Sequence, residues 1–263
     1  MSTRDFGACR LFVEAELAEG GSVQLSNPQD HYLRHVLRLG AGATLRTFNG
    51  RDGEWLARLA GAGKKTARLE LLERTRPQTP PGDLHLLFAP LKQARFDYMV
   101  QKAVEMGVSR LIPVITRHTQ VTKLNVTRLR ANVIEAAEQC GILNLPTVGD
   151  PQTLAHALAA LDPDSLLVFC DEDAPVSDPL AALSAVSDDG AGRRASPVAL
   201  LIGPEGGFAA EERTAILDRP GTVRLALGPR ILRADTAAVA ALALVQASLG
   251  DWGRHHRPTD RGV

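Results

Sequence analysis

The sequence predicts an α/β fold: a parallel sheet with helices on both faces, preceded by a small β-barrel. Three observations predict it. From Leu84 onward, apolar runs of strand length alternate with stretches of helical periodicity. Before residue 76 the apolar runs are short, β-rich and joined by tight turns. Between the two textures lies 75–82, TRPQTPPG, a proline-rich and semi-rigid stretch suited to a domain boundary.

Taken in order, residues 8–15 alternate enough to form a strand. Asn27 is expected to cap a short helix, with Pro28 at its first position, where an N–H would have no partner in any case. That helix is basic. It carries His31, Arg34, His35 and Arg38, and the spacing of Arg34 and Arg38 puts those two on one face. Strands at 43–48, 54–60 and 65–72 follow, the first two joined by Asn49-Gly50-Arg51-Asp52-Gly53, a hairpin signal. The first domain is accordingly set at 1–76, a linker at 77–83 and the second domain at 84–250.

The second domain opens with an apolar strand at 84–89. Phe96, Val100, Ala103 and Val104 then form a helical stripe that ends at Gly107. Further strands are expected at 111–115, 166–170, 198–202 and 223–227, and a helix at 124–139. The closing helix, 234–249, is apolar almost all round, and a helix without a polar face needs cover on every side. Residues 188–196 read as a mobile surface loop. Residues 251–263, rich in Arg, His and Pro, read as a flexible tail.

With 263 residues and 44% hydrophobic content the chain can bury a substantial core, as one large or two ordinary domains. Its 30 basic and 30 acidic residues cancel, but unevenly along the chain. Residues 1–144 hold 20 Lys and Arg against 14 Asp and Glu, whereas 145–263 hold 10 against 16. That polarity suits an RNA-facing first half. Cys9, Cys140 and Cys170 are widely spaced and lack metal-ligand partners, so they read as reduced packing residues and no metal is expected. No signal peptide is evident and no apolar run reaches the roughly 18 residues of a membrane span. The expected location is cytoplasmic.

The chemistry is carried by two glycine-proline turns, LLIGPEGGF at 200–208 and LALGPRILRADT at 225–236. Each begins as a buried strand, breaks at Gly-Pro and leads into a helix. Gly203, Gly206 and Gly207 allow close backbone approach, and Pro204 and Pro229 stiffen the turns. Loops of this kind hold small ligands by main-chain groups, and in open α/β sheets the ligand crevice lies beyond the carboxyl ends of the strands. The GxGxxG dinucleotide fingerprint, the GxxxxGKS/T phosphate loop and the GxSxG elbow are all absent.

GPEGGF followed by LGPRILRADTA resembles the signature of the bacterial family that methylates N3 of a uridine in 16S ribosomal RNA, within the SPOUT superfamily of S-adenosylmethionine-dependent methyltransferases. HYLRHVLRLG at 31–40, KQARFDYMVQKAVEMG at 92–107 and EAAEQCG at 135–141 agree with it, so the resemblance runs from about residue 11 to 249. It implies a PUA-like RNA-binding barrel at the N-terminus, a SPOUT sheet with a C-terminal trefoil knot, and a homodimer formed through the knotted region. Two positions depart from the family pattern. Asp235, preceded by Ala234, stands where the family has Glu preceded by Thr, and Ile142 stands where it carries Arg, which removes an RNA contact. A SPOUT enzyme acting on transfer RNA and a non-catalytic RNA-binding assembly factor are the competing readings.

The resemblance also gives the loops roles. Ile202, Gly203, Pro204, Glu205, Gly206 and Gly207, with Leu227, Gly228, Ile231, Leu232 and Thr236, would surround S-adenosylmethionine, and the loop after Cys170 would form a third wall. Glu205 would balance the sulfonium charge or bind a ribose hydroxyl. Uridine N3 carries a proton at neutral pH, so the site needs a base or field to remove it and donors for the flanking carbonyl oxygens. Arg233 is the first choice for that field and Asp235 a candidate base, with capping or pairing to Arg233 as its structural alternatives. His118, just after a strand end, is another candidate. RNA phosphates would be met by Arg34, His35, Arg38, Arg51, Lys92, Arg95, Arg117 and His118.

Overall fold

The computed structural model describes residues 9–61, 67–121, 123–187 and 197–252. The expected mobile loop at 188–196 and the tail from 253 onward lie outside the described residues. The chain divides into two compact units, 1–81 with 134–145, and 82–133 with 146–263.

The first unit is a five-stranded curled sheet. Its strands are β1 (Arg10–Phe12), β2 (Ser22–Gln24), β3 (Thr44–Phe48), β4 (Glu54–Ala60) and β5 (Arg68–Arg76), in the order β1-β3-β4-β5-β2. β1 pairs with β3 in parallel and the remaining pairs are antiparallel. Among the described residues β1 and β2 end the order and are not paired with each other, so the expected barrel is seen as a curled sheet. Leu11, Val13, Leu33, Leu45, Trp55 and Leu69 belong to its buried core.

Helix α1 (Asn27–His31) starts one residue earlier than expected. Ser26 is the cap: its hydroxyl accepts from Gln29 N–H while the Gln29 side chain accepts from Ser26 N–H, a reciprocal pair that Asn27 has no means to make. The helix then widens over Tyr32–Val36 into a π-helical turn, with Leu37 N–H bonded to the Tyr32 carbonyl at 2.9 Å. This corrects the shared face expected for Arg34 and Arg38. Arg38 lies beyond the turn at φ +56°, and Arg34 is paired with Asp30 at 3.4 Å.

Residues 134–145 join the first unit through side chains. Glu138 accepts from Phe12 N–H at 2.8 Å, Arg76 donates to the Gly141 carbonyl at 2.8 Å, and Gln78 donates to Asn144 at 2.6 Å. Nearby, the buried Glu54 carboxylate receives Arg10 at 3.2 Å, Arg76 at 3.4 Å and the Thr75 hydroxyl at 2.9 Å.

The second unit is a seven-stranded sheet, parallel at every pair. Its strands are β6 (Leu84–Phe88), β7 (Arg110–Ile115), β8 (Thr147–Val148), β9 (Gln152–Thr153), β10 (Leu166–Cys170), β11 (Val198–Ile202) and β12 (Thr222–Leu225), in the order β12-β10-β11-β6-β7-β8, with β9 also on β7. Continuous apolar runs such as LHLLF and VALLI suit strands covered on both faces. Pro113 sits in β7 between the pairing to β8 at 110–111 and to β9 at 114–115, where its missing N–H breaks no ladder bond on that side.

The helices are α2 (Gln93–Glu105), α3 (Val126–Cys140), α4 (Leu154–Ala159), α5 (Pro179–Ser187), α6 (Ala210–Leu217) and α7 (Ala234–Ser248). The stripe Phe96, Val100, Ala103 and Val104 is buried as expected, and Gly107 ends α2 at φ +81°. α7 packs on α2, α5 and β11 and buries Ala238, Ala241, Leu242 and Val245. Val239, Ala240, Ala243 and Leu244 stay half-exposed, so the unit covers one face of this helix.

Candidate functional site

β12, β10 and β11 are neighbours in the sheet, and the segments leaving their carboxyl ends converge. Residues 203–208 follow β11, 226–233 follow β12 and 171–173 follow β10. Together they line an open cavity of about 870 Å³. Of the residues expected in a cofactor site, Cys170, Ile202, Gly203, Pro204, Glu205, Gly206, Gly207, Leu227, Gly228, Ile231 and Leu232 line it, as does Arg233. Thr236 and Asp235 do not. The Asp235 carboxylate accepts from Thr236 N–H at 3.0 Å at the start of α7, and among the described residues it makes no ion pair with Arg233.

The loops have different backbone needs. Gly207 and Gly228 sit at φ +69° and +86°, which glycine adopts without strain. Gly203 is fixed by crowding, since a Cβ there would lie 2.5 Å from the Phe208 ring. That ring packs edge-on against Phe169, 5.5 Å between centroids, and Arg213 lies over the other aromatic, 5.7 Å from its centroid. In the second loop, among the described residues, the backbone N–H groups of Leu227, Gly228, Ile231 and Leu232 donate to nothing in the protein. Ile231 is 93% exposed at the cavity.

The third wall was legible only as a place. Asp171, unassigned in the sequence, is its anchor: its carboxylate is fully buried and receives Arg213 at 2.7 and 3.0 Å and Arg224 at 2.5 Å. Arg224 also reaches the Asp173 carbonyl, and Asp173 N–H closes back on Asp171 at 3.1 Å. Burial alone would raise the Asp171 carboxyl, but the two guanidiniums and the backbone donor hold it below the ordinary carboxylate range. The Cys170 thiol is instead pushed up to about 12 by burial and by the neighbouring Asp171 charge, so it stays a neutral packing group.

On the outer rim Glu205 is paired with Arg95 at 2.5 Å, so one of the expected RNA-binding cations is engaged by one of the expected catalytic carboxylates. His118 reaches the same loop, with Nδ1 3.0 Å from the Gly206 carbonyl and 3.2 Å from that of Gly207. With Lys92, Pro204 and Glu205 it lines a cleft of about 20 Å³. Arg117 is exposed and its backbone N–H donates to Glu212 at 2.9 Å. Arg34, His35, Arg38 and Arg51 belong to the first unit. There His35 stacks on His31 at 4.9 Å and Arg51 donates to the Glu14 carbonyl at 2.9 Å. Among the described residues no cluster of His, Cys, Asp and Glu is arranged to hold a metal, and no helix is long and apolar enough to cross a membrane.

A family model described as an RNA methyltransferase domain matches residues 78–246, and one described as an RNA methyltransferase PUA domain matches residues 25–72. The chain is similar to the ribosomal RNA small subunit methyltransferase E of Rickettsia conorii, with 32% identity over 90% of this chain and 94% of that protein. It is 30% identical to the protein of the same name from Synechocystis, over 92% of this chain and 78% of that one. Among solved structures it resembles the ribosomal RNA small subunit methyltransferase E of Neisseria gonorrhoeae bound to S-adenosyl methionine, with a TM-score of 0.79, 27% identity and coverage of 93% and 99%. It also resembles a Legionella pneumophila methyltransferase in complex with the same cofactor, with a TM-score of 0.76, 28% identity and coverage of 91% and 97%.

Proposed function

The chain belongs to the RNA methyltransferase family, and from that premise we propose that it methylates N3 of a uridine in the 16S RNA of the small ribosomal subunit, with S-adenosylmethionine as donor. The observation that carries this reading is the convergence of three loops, from three neighbouring parallel strands, on one cavity with unused backbone donors.

The residues present fit that cofactor. Leu227, Ile231 and Leu232 offer apolar surface for an adenine ring, and the free N–H groups beside them suit its acceptor edge. The carboxylates of Glu205 and Asp173 border the same space and favour a cationic sulfonium. When bound, the cofactor supplies a methyl group on positively charged sulfur. Arg233, at the cavity and free of ion pairs among the described residues, is the group to stabilise negative charge developing on the uracil oxygens. Asp235, off the cavity, acts as a first-turn carboxylate of α7, favoured there by the helix dipole.

The finer architecture belongs to the same proposal. The chain runs from β12, at the sheet edge, back to α7 against α2 and β11, a path compatible with the trefoil knot implied by the resemblance. The half-exposed face of α7, with Tyr98 at 46% and Leu180 at 51% exposure on the adjoining helices, is the surface for a two-fold mate. Light scattering should give twice the chain mass, and a fully active monomer would remove the dimer. The working location is the cytoplasm, with the ribosomal RNA.

Calorimetric titration with S-adenosylmethionine tests the cofactor site. The parent should bind one equivalent per chain. Gly203→Val should weaken binding at least about tenfold, roughly 1.4 kcal/mol, because the new side chain displaces the Phe208 ring and with it the 203–208 loop. A folded Gly203→Val protein with parental affinity would show that the cofactor binds elsewhere.

A further inference from the structure

Removing the N3 proton of uridine needs a base, and most of the acidic groups at the loops are engaged or unsuited: Asp171 is held by Arg213 and Arg224 and Asp173 by Arg213 at 3.4 Å, while Glu172 also borders the cavity. Glu205 is paired with Arg95, Asp235 is bonded to Thr236 N–H off the cavity, and the Cys170 thiol is neutral. His118 lies outside the cavity lining too, but it lines the small cleft that shares Pro204 and Glu205 with the cavity, and its tautomer follows from geometry. Both atoms facing its Nδ1, the carbonyl oxygens of Gly206 and Gly207, are acceptors only. Nδ1 must therefore carry a proton in the neutral ring as well as in the charged one, and the basic lone pair is left on Nε2.

The ring is also held in place. A Cβ on Gly206 would lie 3.3 Å from the His118 Cβ, so the glycine is what lets the imidazole approach the loop. The turn bearing His118 is braced by Thr116 N–H to the Thr119 hydroxyl at 2.9 Å and by Arg117 N–H to Glu212 at 2.9 Å. The charged groups around it are Lys92 and Glu205 across the small cleft, with Arg95 on Glu205, and Arg117 and Glu212 beside its own turn. Imidazole is the side chain whose ordinary titration lies near neutrality, where a general base is most effective.

We propose that His118 is the general base of methyl transfer, with Nε2 as the accepting atom, an assignment that rests on the methyltransferase reading above. In the step, the N3–H proton passes to Nε2 and the N3 electron pair forms the bond to the methyl carbon. The carbon–sulfur bond breaks with its electrons on sulfur, which becomes a neutral thioether, and the imidazolium later returns its proton to water. The two loop carbonyls stabilise the imidazolium while it exists.

His118→Asn separates this role from a merely structural one, because the Asn amide N–H₂ reaches where Nδ1–H was and keeps the loop bond, but has no basic nitrogen. Nitrogen-15 NMR of the ligand-free parent should show the Nδ1–H tautomer at His118. In calorimetry the variant should bind S-adenosylmethionine as the parent does. Single-turnover methylation of small subunits from cells lacking this gene should fall about 10²–10⁴-fold at neutral pH. The variant's rate should then climb with pH without the parent's plateau, as uracil ionises on its own. An Nε2–H tautomer, a variant with parental rate and pH profile, or a rate loss matched by lost cofactor binding would each overturn the assignment. A parent that binds the cofactor yet transfers no methyl group would instead overturn the methyltransferase reading, a distinct result.

Discussion

Asp171→Asn is expected to lower the unfolding free energy by about 3–5 kcal/mol. The substitution keeps the shape but removes the buried anion that bridges Arg213 and Arg224, leaving Arg213 only the exposed Asp173 carboxylate at 3.4 Å, and turns an amide donor toward a guanidinium. Because the folded Asp171 carboxyl titrates below its unfolded value of about 3.9, its stabilisation is complete above that value and fades as pH falls through the folded one. Urea melts of parent and variant should therefore differ fully at pH 7 and converge in acid. A gap that is absent at pH 7, or that grows on acidification, would refute this account. The same change should loosen the wall at 171–173 and weaken S-adenosylmethionine binding.

Gly53→Ala should be nearly as costly in the first unit, by about 2–5 kcal/mol from left-handed strain and overpacking together. Gly53 sits at φ +84°, and a Cβ there would lie 2.2 Å from the Arg76 carbonyl oxygen and 3.0 Å from the Gln78 nitrogen, backbone atoms with no rotamer to yield. Gly42 is the control, at φ +87° with nothing within 4 Å, so Gly42→Ala isolates the conformational part at about 1–2 kcal/mol. Trp55 is buried in this unit and its indole N–H donates to the Asp52 carbonyl, so its fluorescence follows the transition. Equal urea midpoints for the two variants would mean that the close approach of 76–78 carries no cost.

The strands of the second unit were legible because strands buried on both faces leave continuous apolar runs, and 84–89, 111–115, 166–170 and 198–202 all became strands there. The two glycine-proline turns were legible for a related reason, since only particular residues tolerate those backbone paths. What the sequence hid depends on distant partners. Asp171 reads as an ordinary residue after a strand until Arg213 and Arg224, 42 and 53 positions later, close on it. His118 reads as a lone histidine until the Gly206 carbonyl, 88 positions later, meets its ring. The shift of the first cap from Asn27 to Ser26 was decided by Gln29, because both residue types cap well and the reciprocal bond breaks the tie. The π-helical turn that parts Arg34 from Arg38 has no periodic signature, and helical spacing placed them together for that reason.

The stretch 134–145, grouped with the first unit, bears on how the chain is made. A ribosome that has produced residues 1–81 has delivered every strand of the first sheet, but not the acceptors from 134–145 that Phe12 N–H, Arg76 and Gln78 reach. Those arrive with Glu138, Gly141 and Asn144, after β6, α2 and β7 have emerged. At about 5–20 residues per second the nascent sheet waits roughly 3 to 13 seconds for its last piece. During that interval the Arg10–Glu54–Arg76 cluster lacks the Gly141 carbonyl, so completion of the N-terminal unit is timed by translation of the one that follows it.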